Sequence, residues 1–579
     1  MNSNKMLLKA AIAALVFVFY INANAQDVEQ IGKGPLLIGN GGVSFSQIGQ
    51  VSPDSISSIT PYSYYLSGNL NLNILNTVSL PISFAYTNNQ TSANLANPFN
   101  RFSLSPSYKW IQAHMGYSSM SFSPYTLSGH EFYGGGIELQ PDDHFRFSAM
   151  YGRLRKAVEV DSINVQPVYK RMGGAFLFGY TNDKFDITFN LLKARDEMNS
   201  LSFTPRDSTY ITPEENLAGS IALKVNLTNN LLLDAEYGLS GVNRDISTRD
   251  SIAGNSLLTG GGDLAVYHAL RGSVSQSSSV GQIGATYERI APNYNTFGAY
   301  YYTNDFENIT LDLSSSILTW LKWSINAGYQ RDNLENQKTD TNNRVILSAN
   351  TMSPITKKLV LNLNYSNVQS YVHIKDIYNQ ISETNDFQNL DTLSFTQLNM
   401  STGVNISYAL KADKRQRQNV NCGFSYQEAA EQQNNDGRYV GNQIFNTMIA
   451  YQYSLIPIRL NISSSINHNQ NKLPDSRMDV ISYSLSVQKT FWESFKTAFI
   501  STYSKSYNQD IKLSDVVNLR LNTGYKVKKR HSLNLSLAMV SNKSISRESM
   551  MYSANLNYNY IFDFKADRKG KKSSFEGNF

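Results

Sequence analysis

Polar and apolar residues alternate with a period of two over many segments of this chain, most plainly near its end. Tyr552, Ala554, Leu556, Tyr558, Tyr560, Phe562 and Phe564 fall on one parity, and Ser553, Asn555, Asn557, Asn559 and Asp563 on the other. Only an extended strand puts those sets on opposite faces. The same rule sets Leu398, Met400, Val404, Ile406 and Tyr408 against Asn399, Ser401, Asn405 and Ser407. It also sets Ile481, Tyr483 and Leu485 against Ser482, Ser484 and Ser486, and Leu533, Leu535 and Leu537 against Asn534 and Ser536.

Such segments recur from Val43 to Phe564. Many run to about ten residues, the length of a tilted strand crossing a bilayer and longer than the five or six usual in soluble sheets. Short connections such as Leu75-Asn76-Thr77 and Thr228-Asn229-Asn230 alternate with long polar ones near residues 88–100, 196–216, 241–263, 369–395 and 430–441. The pattern predicts an all-β fold, a transmembrane antiparallel up-and-down β-barrel of about 26 strands within a range of roughly 22 to 28. Short turns and both termini are expected in the periplasm, with long loops outside. The predicted membrane-facing residues are Leu398, Met400, Ile406, Leu533, Leu535, Tyr552, Leu556, Tyr558, Tyr560, Phe562 and Phe564. The predicted lumen-facing residues are Asn399, Ser401, Asn405, Ser482, Ser484, Asn534, Asn555, Asn557 and Asn559. A soluble sandwich or solenoid competes less well: sandwiches use shorter strands, and the chain shows no fixed short repeat.

The ends add an address. Lys5 and Lys9, the apolar run Ala10 to Ile21, and Ala23-Asn24-Ala25 read as a secretory signal over residues 1–25. No later apolar run is long enough for a transmembrane helix, so strands must do the crossing. A flexible Gly-rich lead-in is expected over 26–42, the barrel over 43–564, and a basic periplasmic tail over 565–579. Composition agrees, with 36 Tyr, 28 Phe and only 17% charged residues, against about 25% in ordinary soluble domains. The net charge of +6 falls to +4 without Lys5 and Lys9, and the tail carries +3 of that, leaving a body near neutrality. No nucleic-acid partner is inferred. Cys422 stands alone, which excludes an internal disulfide.

Strand-like sequence begins too close to the signal for the folded N-terminal plug domain of a TonB-dependent receptor, so no such plug and no TonB-coupled import are expected. The predicted inward positions are mostly Asn, Ser, Gln, Thr and Gly, which suits polar, mostly uncharged solutes. The seven histidines form no metal or catalytic pattern, and no catalytic residue, cofactor or metal is expected. His130, in Ser128-Gly129-His130-Glu131, is the residue a barrel hydrolase would use, although a structural role is favoured.

Two stretches carry a resemblance. One runs from Pro61-Tyr62-Ser63-Tyr64-Tyr65 through Asn97-Pro98-Phe99-Asn100 to Gly129-His130-Glu131-Phe132 and Gly134-Gly135-Gly136. The other holds Ala291-Pro292-Asn293-Tyr294, Gly298-Ala299-Tyr300-Tyr301-Tyr302, Asn304-Asp305-Phe306-Glu307-Asn308 and Gln330-Arg331-Asp332-Asn333. Together they resemble a group of large, functionally unassigned outer-membrane β-barrel proteins of Bacteroidota. The resemblance implies a barrel in the cell outer membrane and raises the idea of an accessory to surface display or protein secretion. The 304–308 and 330–333 stretches would then be docking loops or strand-capping turns. Three functions follow from sequence: a pore or translocation channel first, then a loop-plugged structural or docking barrel, and last an outer-membrane hydrolase. Expected partners are outer-membrane lipid, the barrel-assembly machinery during biogenesis, and a surface or secretion protein.

Overall fold

The computed structural model describes residues 35–53, 62–88, 101–159, 167–201, 211–247, 258, 263–300, 302–318, 320–337, 343–367, 370–373, 395–398, 400–432, 439–473, 475–528, 530–545 and 547–566. The expected signal peptide and most of the basic tail lie outside them.

One antiparallel sheet closes on itself. The first strand, Leu37–Val51, pairs on one side with Tyr62–Ile74 and on the other with the last strand, Glu548–Ala566, in an unbroken register from Leu37↔Ala566 to Val51↔Tyr552. The other strands of this sheet pair in chain order, Leu359–Ser366 meeting Met400–Ala412 past a separate two-stranded hairpin, so the sheet has no free edge. The sheet holds 27 strand segments. Two of them, Arg101–Leu104 and Ser107–Tyr108, are halves of one wall position, both lying between Val78–Thr87 and Ile111–Ser121. Pro106, which has no amide hydrogen for the ladder, sits in the break. The wall therefore has 26 positions, as the alternation predicts.

Both described ends, Leu37 and Ala566, lie at the end of the barrel that carries the short turns. Leu75-Asn76 and Trp492-Glu493 turn there with positive φ at both residues (58° and 55°, 45° and 62°), the two-residue geometry that follows the twist of the flanking strands. At the opposite end the alternation of loop lengths lapses. Gln509-Asp510 joins Phe495–Asn508 to Ile511–Val527 as tightly as any turn at the first end. The strands there run to 14–19 residues, so the hairpins project as strand instead of loop.

The sheet also extends beyond the expected 43–564. Its first strand takes in Gly39 to Gly42, assigned from sequence to a flexible lead-in. The glycines are used for close approach: a Cβ on Gly39 would sit 2.1 Å from the Phe564 ring, and one on Gly41 would sit 2.2 Å from the Asn69 carbonyl oxygen. The last strand runs on to Ala566, two residues into the expected tail.

Directly paired residues share a face of the sheet, so one rung traces a face around the wall. The rung Asn559–Ser44–Ser67–Ala85–Arg101 and its neighbour Ile561–Gly42–Asn69–Ser83–Ser103–Gly116–Gly134–Gly152–Gly173–Ala194–Asn216–Val242 lie on the same face. Asn216 and Val242 are buried beneath material folded inside the barrel, which makes this face the lumen. The other parity carries the exposed apolar belt, including Phe176, Phe189, Ile221, Tyr237, Ile309 and Leu537. A continuous apolar band on the outer face of a closed antiparallel barrel is the property of a transmembrane β-barrel.

Candidate functional site

Two loops at the end opposite the termini fold into the barrel instead of away from it. The first, residues 122–127, joins Ile111–Ser121 to Ser128–Leu139, and the second, residues 291–305, joins Gln282–Ile290 to Phe306–Leu318. Each is preset locally. Pro124 occupies the bend in which the Thr126 amide donates to the Ser123 carbonyl at 3.2 Å, while the Tyr125 amide donates to Ser123 Oγ at 3.0 Å. Pro292 and Asn293, with φ +60° at the asparagine, form the bend in which the Tyr294 amide donates to the Ala291 carbonyl. Proline followed by a left-handed asparagine suits such a turn.

The loops then grip each other. Tyr294 Oη donates to the Tyr125 carbonyl at 2.8 Å, Thr296 Oγ1 to the Thr126 carbonyl at 2.6 Å, and the Ser128 amide to the Gly298 carbonyl at 2.8 Å. Gly298 is required at this contact. A Cβ there would lie 2.4 Å from the Thr126 carbonyl oxygen and 2.8 Å from Leu127 Cα. Tyr125, Leu127, Tyr294, Thr126 and Thr296 are all at most 1% exposed.

The pair is also anchored to the wall. The Phe297 amide donates to Asn216 Oδ1 at 3.0 Å, Asn216 Nδ2 donates to Ser240 Oγ at 2.8 Å, and Ser240 Oγ donates to the Asn295 carbonyl at 2.5 Å. Tyr125 Oη donates to Glu288 at 3.1 Å, and Ser123 Oγ bonds Glu236. Gly238 clears room, since its Cβ would stand 2.8 Å from that of Tyr125. Leu127 and Phe297 join Met120, Phe132, Met150, Leu154, Leu192 and Val242 in one apolar cluster, and Tyr125 and Tyr294 pack with Ala269 and Ile290 in a second. Burial pushes the phenols of Tyr125, Tyr294 and Tyr302 well above the ordinary tyrosine range, with Glu288 adding to the effect at Tyr125.

A charged cluster braces the second loop. Arg171 reaches Asp196 through two hydrogen bonds of 2.7 and 2.9 Å and Glu214 through a third of 2.8 Å, and Arg155 adds a contact to Asp196 at 3.1 Å. The Arg171 guanidinium lies 3.5 Å from the centre of the Phe297 ring. Asp196 is 1% exposed, so its charge depends on these two arginines. The cluster thus fixes a cation flat against the loop's aromatic ring.

His130 belongs to the same assembly. Its ring stacks on Tyr300 with centroids 4.1 Å apart, and Nδ1 lies 2.7 Å from the Glu131 carbonyl oxygen, while the Glu131 amide donates to Tyr300 Oη. This is a packing role under the second loop. The motif glycines act nearby: Gly116, Gly134, Gly152 and Gly173 form a lumen-facing rung across four adjacent strands. A Cβ on Gly173 would meet Leu154 at 2.6 Å and one on Gly136 would meet Met120 at 2.7 Å, so the bare wall lets the loop-side core lie against it.

The register places Ser401, Asn405, Ser482, Ser484, Asn534, Asn555, Asn557 and Asn559 on the lumen parity, and Met400, Ile406, Leu533, Leu535, Tyr552, Leu556, Tyr558, Tyr560, Phe562 and Phe564 on the other. Ser482 bonds Ser504 at 2.8 Å, Ser484 bonds Thr502 at 3.1 Å, and Asn557 donates to Ser46 at 2.5 Å, so the inner wall is laced across strands. Leu398 is a correction. It pairs with Ser370 in a separate hairpin, Ser370–His373 with Phe395–Leu398, and the barrel strand begins at Met400; Asn399 lies outside the described residues. The 304–308 and 330–333 stretches fit the strand-capping alternative, with more of each in the ladder than in the turn. Phe306 to Asn308 and Gln330 to Asp332 face each other as paired strand ends, Phe306↔Asp332 and Asn308↔Gln330, and only Asp305 and Asn333 turn out of the ladder with positive φ.

Fold and site together define a transmembrane antiparallel β-barrel of outer-membrane type whose mouth is narrowed from one side by its own loops. No protein-family model matches the sequence, and no curated protein is similar to it. Among solved structures, the chain is similar to the P pilus usher (PapC) translocation pore at 11% identity, over 91% of this chain and 99% of that one, with a TM-score of 0.35. It is similar to the FrpB iron transporter of Neisseria meningitidis at 9% identity, over 90% and 82%, with a TM-score of 0.38. For an anion-selective porin from Comamonas acidovorans the values are 13% identity, 67% and 100%, and a TM-score of 0.25.

Proposed function

We propose that the chain is an outer-membrane translocation channel for a polar, mostly uncharged substrate, with the paired loops as a one-sided constriction. One observation supports it above the others: a closed 26-position wall whose inner face, around the half away from the loops, is mostly amide- and hydroxyl-bearing, as at Asn405, Ser482, Ser484, Asn534 and Asn557. Strands ~4.8 Å apart and tilted by about 40° would make that ring roughly 50 Å across if circular. The loops are six and fifteen residues long. The hydrogen bonds of Ser123, Tyr125, Tyr294, Asn295, Thr296 and Phe297 given above join the two loops to each other or to strands between Ile111 and Leu318. Such short loops narrow a lumen of that size without filling it.

Liposome swelling tests the solute class. Neutral oligosaccharides should enter protein-bearing vesicles faster than sugar acids and amino sugars of matched size. Equal rates for neutral and charged solutes would remove the preference, and no swelling with any of them would remove the channel.

The inward loops also favour a second reading, a loop-plugged barrel that docks a surface or secretion partner. Gentle extraction from native membranes should then recover a stoichiometric companion, whereas a channel acting alone would elute without one.

A further inference from the structure

The outer face carries charge where a lipid-facing wall has no need of it. One outward rung reads Tyr117–Tyr133–Arg153–Met172–Arg195–Glu215, across six adjacent strands. The next outward rung places Lys193 between Gly174 and Leu217. The rungs below are apolar, through Phe147–Phe178–Phe189–Ile221. From Arg195 to Phe185 the strand descends ten residues, which at ~3.3 Å per residue and a tilt of about 40° is roughly 25 Å, the height of a barrel's apolar band. Arg153, Lys193 and Arg195 therefore stand at the band's upper border, at the level of lipid headgroups on the loop side.

Among the described residues, a carboxylate balances only one of the three. Arg153 donates to Tyr117 Oη at 3.0 Å and lies 5.0 Å from the Tyr133 ring centre, so two tyrosines hold it without neutralising it. Lys193 pairs with Glu215 at 3.2 Å. Arg195 has no carboxylate partner among the described residues. Its Cα and that of Arg153 flank Met172 from the two neighbouring strands, which sets them about 10 Å apart. Two uncompensated guanidinium groups on a lipid-facing border are costly unless anions meet them there.

We propose that this face binds the phosphates of a lipid headgroup in the leaflet at the loop end, with Arg153 and Arg195 as the two phosphate ligands and Lys193 between them and the apolar band. Guanidinium groups take phosphate through paired, charge-assisted hydrogen bonds, and the exposed ring of Tyr151 below would lie along the acyl chains. The proposal rests on the transmembrane barrel and not on what passes through it, so conductance and lipid retention succeed or fail separately.

The test is native mass spectrometry of the full chain, delipidated in detergent and offered three probes: diphosphorylated lipid A, the same glycolipid after dephosphorylation, and inorganic phosphate. The chain should retain the diphosphorylated lipid. An Arg195→Gln, Lys193→Gln variant should retain it about tenfold less, and Arg195→Lys should recover part of the loss. A lumen-side Lys224→Gln, Lys322→Gln variant removes the same charge and should bind like the original chain; unshifted gel mobility of the folded barrel shows that each variant is assembled. Equal retention of the dephosphorylated lipid, displacement by inorganic phosphate, or undiminished binding by the Arg195→Gln, Lys193→Gln variant would each overturn the proposal.

Discussion

At the scale of single residues, the inward loops hang on a few groups whose replacement has a definite sign. Arg171→Met removes the cation that stacks on Phe297 and leaves Asp196, 1% exposed, with Arg155 alone. Breaking a buried ion pair from one side costs about 3–5 kcal/mol, so this variant should release the second loop and raise channel conductance. Single-channel recording checks it; a conductance equal to that of the original chain would show that the brace is not needed. Gly298→Val meets backbone at 2.4 Å and should separate the loops while the barrel still forms, read as protease cleavage within 291–305. The tyrosines set the pH response. A phenol raised by burial contributes stability that is complete below its ordinary value near 10 and is lost as pH rises through the folded value. The upward shifts at Tyr125, Tyr294 and Tyr302 thus predict a constriction indifferent to pH between about 6 and 9 and loosened only in strong alkali. The tyrosinate absorbance band should show a late-titrating group of residues; ionisation of all tyrosines near 10 would contradict the burial.

At the scale of elements, the strands were readable and the inward loops were not. Lipid on one side and a polar lumen on the other force strict alternation, so Tyr552, Leu556 and Tyr558 against Asn555, Asn557 and Asn559 announce their strand without help from the rest of the fold. Leu398 misleads because its sequence parity matches that of the barrel strand beginning at Met400, while it pairs with Ser370 in a separate hairpin. The destination of a loop leaves a fainter trace. Residues 122–127 and 291–305 carry Pro, Gly and Asn as any surface loop does, and their partners on the wall lie up to 169 residues away. The usable signal was apolar content: Phe122, Tyr125, Leu127, Tyr294 and Phe297 are too many large apolar side chains for connections in water. Replacing residues 293–300 by a short Gly-Ser linker should leave the ladder intact, because Ile290 still pairs with Phe306 and Ala269. The expected outcome is unchanged heat-dependent gel mobility together with a wider pore.

At the scale of the whole molecule, closure is the decisive property. The pairing of Leu37–Val51 with Glu548–Ala566 joins the two ends of the described chain over fifteen residues, so the barrel forms only when its last strand arrives. Removing residues 548–566 should therefore prevent assembly outright instead of weakening it in proportion, a result read from the loss of the heat-modifiable band. On the proposed reading, the inward loops narrow one side of the closed wall and the remainder, rich in Asn and Ser, forms the passage. Planar-bilayer recording of the purified chain beside the 293–300 linker variant tests this account most directly. It predicts discrete conductance steps for the chain and larger ones for the variant. A sealed bilayer with both proteins would contradict it.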